Sequence, residues 1–84
     1  MTESQRRREQ RFYSVETWTW NADTEEHDIY SVSNLTIEEA KEVFKSAICD
    51  CDHPQVDLYM DDGYEAEKIA VKESYEDGVY EEWF

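Results

Sequence analysis

The sequence predicts an α+β fold in two layers: one helix on one face of an antiparallel sheet of four to five strands, β-β-α-β-β with room for a fifth strand. Three observations carry this. Ile37, Ala40, Val43, Phe44, Ala47 and Ile48 recur at steps of three and four, which draws one apolar stripe along a helix. The stretches on either side are rich in β-branched and aromatic residues, or alternate apolar with polar, as strands do. Finally, the chain has 84 residues, enough for one small core, and its 14% aromatic content is too high for a disordered acidic tail.

Taken in order, residues 1–10 are polar and lack apolar periodicity, so they read as a flexible basic arm ahead of a single acidic domain over 11–84. Residues 12–20 form a first strand, 21–26 a polar tip, and 27–33 a second strand. With Trp20 opposite His27, Val15 opposes Val32, Thr17 opposes Tyr30 and Trp18 opposes Ile29, a pairing of like with like. Val15, Tyr30 and Val32 then point to one face, and Trp18, Trp20 and Ile29 to the other. The helix follows. Thr36 and Glu39 make a capping box, Leu35 and Ala40 a hydrophobic staple, and Glu38 and Glu39 suit the positive end of its dipole. It is expected to end near Cys49, with Pro54 blocking any continuation. Val56, Leu58 and Met60 alternate with Asp57, Tyr59 and Asp61 in a third strand, and Asp62-Gly63 marks a turn. A loop over 62–65 sets Leu58 against Ile69 and Val56 against Val71. Asp77-Gly78 then opens a last strand over 79–84, with Tyr75 opposite Tyr80 and Val71 opposite Phe84. The predicted core is Val15, Tyr30, Val32, Leu35, Ile37, Ala40, Val43, Phe44, Ala47, Ile48, Val56, Leu58, Met60, Ile69 and Val71.

Charge is the outlier of the composition. The net charge is −14, from 22 acids against eight Lys and Arg. Arg6, Arg7, Arg8 and Arg11 face only Glu3 and Glu9 at the start of the chain, while everything after Arg11 holds all the other acids and only four lysines. Such self-repulsion opposes folding. Direct nucleic-acid binding by the domain is disfavoured, because affinity there rests on cations meeting phosphates; the natural complement is a basic protein surface. No apolar run approaches the length of a membrane span and no signal peptide is visible. Neither a membrane partner nor secretion is therefore expected, and the location reads as cytoplasmic. Asn34-Leu35-Thr36 matches a glycosylation sequon, but Thr36 is better explained as a helix cap.

Motifs for chemistry are weak. Cys49, Cys51 and His53 are the only soft metal ligands in a cluster, and only His27, far away along a strand, could complete a set of four. Asp50, Asp52, Asp57, Asp61 and Asp62 suggest calcium, but the stretch from Asp50 fails the calcium-loop pattern at its fifth and sixth positions. Two glycines leave no phosphate-binding loop, and no nucleophile stands beside a convincing base. No enzyme activity, catalytic residue, metal or cofactor is therefore expected.

Two other features suggest binding. Acids fall in local groups: Asp23, Glu25, Glu26 and Asp28 at the first hairpin tip, and Glu73, Glu76, Asp77, Glu81 and Glu82 towards the C-terminus. Alternate strand residues lie about 6.8 Å apart, close to two steps of about 3.4 Å along one DNA strand, so rows of carboxylates can imitate a phosphate backbone. In the register above, Trp18, Trp20, Tyr59 and Trp83 occupy the face away from the helix, and Trp and Tyr dominate interface hot spots. In composition the whole chain resembles small acidic phage counter-defence inhibitors, among them anti-CRISPR proteins and DNA mimics, with no diagnostic motif behind the likeness. That resemblance implies a non-enzymatic inhibitor, acting in the host cytoplasm, that docks on the nucleic-acid-binding surface of a basic protein. The alternative is a structural or regulatory interaction module, a homodimer whose charge serves solubility.

Overall fold

The computed structural model describes residues 12–61 and 63–84; the basic arm and Asp62, with the readings placed on them, lie outside this set. The described chain is a five-stranded antiparallel sheet with one helix: β1 (Tyr13–Asn21), β2 (Glu26–Leu35), α1 (Ile37–Ser46), β3 (Gln55–Asp61), β4 (Ala66–Tyr75) and β5 (Gly78–Trp83). The strand order is β2-β1-β3-β4-β5, which makes β2 and β5 the two edges.

The first hairpin has the expected register, with Val15 opposite Val32, Trp18 opposite Ile29 and Trp20 opposite His27. Its tip is organised by Asn21, whose Oδ1 accepts from the N–H groups of Asp23 (3.0 Å) and Thr24 (3.4 Å). The capping box of α1 is also present. Thr36 Oγ1 accepts from Glu39 N–H at 3.2 Å, and Glu39 Oε1 accepts from Thr36 N–H at 3.1 Å.

The helix stops at Ser46, short of the expected end, and Ala47 is already extended (φ −65°, ψ 131°). The last carbonyls of a helix need donors, and a side chain from the sheet provides them. Buried Lys72 donates through Nζ to the carbonyls of Ala47 (2.8 Å) and Lys45 (3.3 Å), with its ammonium 5.1 Å from the Phe44 ring. This is favourable placement at the negative end of the helix dipole. Ile48, expected inside, is consequently 69% exposed.

The core beneath the helix is Val15, Leu35, Ala40, Phe44, Val56, Leu58 and Ala70, with Tyr13, Val43, Ala47, Cys49 and Ile69 packed against it. Ile37 and Met60 are half-buried at its margin. Tyr30 and Val32 were expected in this core, but they are 61% and 49% exposed. They do point to the helix side; the helix, however, packs mainly over β1 and β3 and leaves the edge strand uncovered.

The largest correction concerns β4. Leu58 pairs with Ala70 and Tyr59 with Lys68, so Ile69 is an extra residue in a bulge. Every residue beyond it changes face relative to the expected register. Val56 opposes Lys72 instead of Val71, and Val71, although buried, lies on the side away from the helix. The turn to β5 is also tighter than expected: Tyr75 pairs with Gly78, Val71 with Glu82, and Ala70 with Trp83. Gly78 takes φ +143°, which a side chain would strain. Trp83 therefore sits on the helix side, edge-on to Phe44 at 5.4 Å between ring centroids.

Candidate functional site

Strand directions bring distant acids to one end of the sheet. β1 and β4 run towards this end, and β2, β3 and β5 start from it. It collects the tip of the first hairpin, the loop from α1 to β3, and the turn at Glu76 and Asp77. Backbone hydrogen bonds tie these pieces together: Trp20 N–H donates to the Asp52 carbonyl at 2.9 Å, and Ser74 N–H to the Pro54 carbonyl at 3.0 Å. Asp23, Glu25, Glu26 and Asp28 thus share an end with Glu73, Glu76 and Asp77. Asp50 and Asp52 stand on the connecting loop between the two groups. The negative pole of α1 points the same way.

Glu81 and Glu82 are not part of this gathering. They lie along edge strand β5, opposite Lys72 and Val71, and point to opposite faces. Glu81 accepts from Trp83 Nε1–H at 3.1 Å.

Several of the gathered carboxylates hold fixed positions. Asp28 Oδ2 accepts from Asn21 Nδ2 at 3.1 Å, Asp77 accepts from the Tyr80 hydroxyl at 2.8 Å, and Glu73 accepts from the Tyr75 hydroxyl. Those bonds push the Tyr75 and Tyr80 phenols above their ordinary value, because each carboxylate favours the protonated hydroxyl. The two rings meet edge-on at 5.5 Å. In the loop, Asp50 Oδ1 accepts from the N–H groups of Asp52 (2.9 Å) and His53 (3.0 Å), and lies 3.2 Å from His53 Nδ1. The contact with the His53 ring, helped by the two amides, holds the Asp50 carboxyl below the usual range.

The aromatic residues divide. Trp18 and Trp20 lie on the face away from the helix, both edge-on to His27 at 5.9 and 5.1 Å, beside the acidic end. Trp20 is 43% exposed. Trp18 is largely covered, and its Nε1–H is shielded from solvent with no acceptor among the described residues. Tyr59 shares that face but lies further down β3, 5.8 Å from Lys68 Nζ. Trp83 is on the other face, as described above. The aromatic patch expected from the sequence is therefore smaller, a Trp18–Trp20–His27 group next to the acids.

Between this group and Tyr59 is a feature that sequence reasoning missed. Asp57 is fully buried on the sheet face away from the helix. Its carboxylate accepts from Gln55 Nε2 at 2.9 and 3.0 Å and from the Tyr59 hydroxyl at 3.4 Å, and pairs with Lys68 Nζ at 3.5 Å. Burial, together with the charges of Asp57 and Glu16, pushes the Tyr59 phenol up to about 12. The only signal in the sequence was spacing: Gln55, Asp57 and Tyr59 alternate and so share a face. Alternation alone reads Asp57 as the wet side of a half-buried strand.

Among the described residues, no three His, Cys, Asp or Glu side chains are placed to hold a metal ion. Burial pushes the Cys49 thiol up, which favours the unreactive protonated form, and both cysteines are free. Among the described residues, no helix is long and apolar enough to cross a membrane. Compared with protein-family models, curated proteins and solved structures, the chain gives no significant match.

Proposed function

We propose that this protein is a non-enzymatic inhibitor whose acidic end docks on the nucleic-acid-binding surface of a basic protein. One observation carries the reading: two acidic groups from opposite ends of the sequence converge on one end of a rigid sheet, with Trp18 and Trp20 beside them. Carboxylates fixed by Asn21, Tyr80 and the Asp50 turn lose little freedom on binding, and that favours a preorganised charged surface. The field of many acids steers a cationic partner, and Trp20 supplies short-range contact. Such an activity suits a phage counter-defence protein of the anti-CRISPR or DNA-mimic kind, working in the host cytoplasm.

The test is competition. A basic nucleic-acid-binding protein is first recovered on the immobilised chain at low salt and eluted by raising it. It is then purified and loaded with fluorescent DNA or RNA. Adding this protein should release the nucleic acid, and the affinity should fall as salt rises, since exposed charges are screened over about 8–10 Å. A stable ternary complex whose affinity ignores salt would sink the mimicry reading.

A further inference from the structure

The two edges of the sheet are protected unequally. β5 has six residues and carries Glu81 and Glu82 in its middle, one on each face, the kind of charge that discourages edge-to-edge pairing. β2 has ten residues and is exposed throughout except at Leu35. Its acids, Glu26 and Asp28, stand only at its first end. From Ile29 to Ile37 the chain carries no charge at all, the longest such run in a sequence with 22 acids. Ile29, Tyr30 and Val32 are 50%, 61% and 49% exposed along it, and among the described residues only β1 pairs with this strand. Neither lysine nor proline interrupts the edge.

We infer that β2 is a self-pairing edge, and that its occupant is β2 of a second copy of this chain, which joins the two sheets into one of ten strands. An antiparallel edge can pair with itself about a two-fold axis normal to the sheet. The register that passes the axis through Ser31 sets Tyr30 of each copy against Val32 of the other. Both side chains lie on the helix side, outside the cover of α1, so each pair fills the valley left between the two helices. Charge supports the same choice. In this register Asp28 faces the uncharged Asn34 of the second copy, Glu26 falls beyond Leu35, and no acid meets an acid. The dimer leaves the acidic end of each copy open, and the inference stands apart from the docking reading.

The two interactions have opposite salt dependence. Copies that each carry −14 repel, so added salt should tighten the dimer, whereas it should weaken docking on a basic partner. Sedimentation equilibrium across protein and salt concentrations should show a species of twice 10.1 kDa that gains population with salt. Ser31→Lys puts two ammonium groups across the axis and should raise the dimer Kd by roughly tenfold or more, as should Ser31→Glu. Mixing the S31K and S31E chains should restore dimer. Circular dichroism checks that both variants fold. Independently of variants, amide hydrogen exchange over residues 29–33 of the wild-type chain should slow as its concentration rises. A chain that stays monomeric throughout, or a dimer indifferent to both substitutions, would overturn the inference. So would protection of β2 that is equal at every concentration, which means its own chain covers the edge, or protection that appears only with an added basic protein.

Discussion

Replacing Phe44 by alanine tests the packing that the whole fold depends on. The ring is fully buried at the centre of the core and touches structure from both layers. It meets Trp83 of β5 edge-on and lies under the Lys72 ammonium that caps α1. Loss of a buried phenylalanine typically costs about 3–5 kcal/mol through transfer and cavity terms. Two further losses push towards the upper half of that range: an aromatic pair is worth about 0.5–1.5 kcal/mol, and the cation contact about 0.5–2 kcal/mol. A domain of this size has roughly 4–13 kcal/mol in total. At about 4–8 °C per kcal/mol for a domain of this size, the melting temperature should therefore drop by about 16–40 °C, followed by circular dichroism, with urea titration for the free energy. Phe44→Leu keeps most of the volume and should lose only about 1–2 kcal/mol. Trp83 fluorescence should shift in both variants, because its neighbour has changed. An alanine variant that loses no more than the leucine variant, or a Trp83 signal blind to it, would refute the account of how helix and sheet are joined.

The remaining expectations follow from the site. Spectrophotometric titration should show one tyrosine ionising near pH 12, absent in Tyr59→Phe and moved towards 10 in Asp57→Asn. The sign for stability follows: with the folded pKa raised, between about pH 10 and 12 the unfolded chain has lost a proton that the folded chain keeps, so this group makes stability fall as pH rises through that window. Glu25→Gln with Glu26→Gln should slow association with a basic partner more than it speeds dissociation, and more than the same change at Glu81 and Glu82, which stand apart from the acidic end. Trp20→Ala should act mainly on the off-rate, measured by surface plasmon resonance.

The features legible in the sequence are those that depend on local rules. The capping box at Thr36 and Glu39, the stripe through Ala40 and Phe44, and the first hairpin with Trp20 opposite His27 all follow from contacts a few residues apart or from one tight connection. The fold class follows too, since one amphipathic helix and alternating strands have few ways to bury their apolar sides. What lay beyond reach depended on a single residue. The bulge at Ile69 reverses the faces of β4, and no spacing rule marks it in advance. It turns Lys72 inward to end the helix and moves Trp83 from the outer face to the helix side, where it meets the Phe44 ring while staying 41% exposed. Exposure of Tyr30 and Val32 was equally hidden, because alternation says which way a side chain points, not whether a ten-residue helix reaches far enough to cover it. Gathering the acids took tertiary structure, since strand order and direction decide which loops lie at one end, and residues near 25 and near 76 share that end at opposite edges of the sheet with β3 and the loop before it between them.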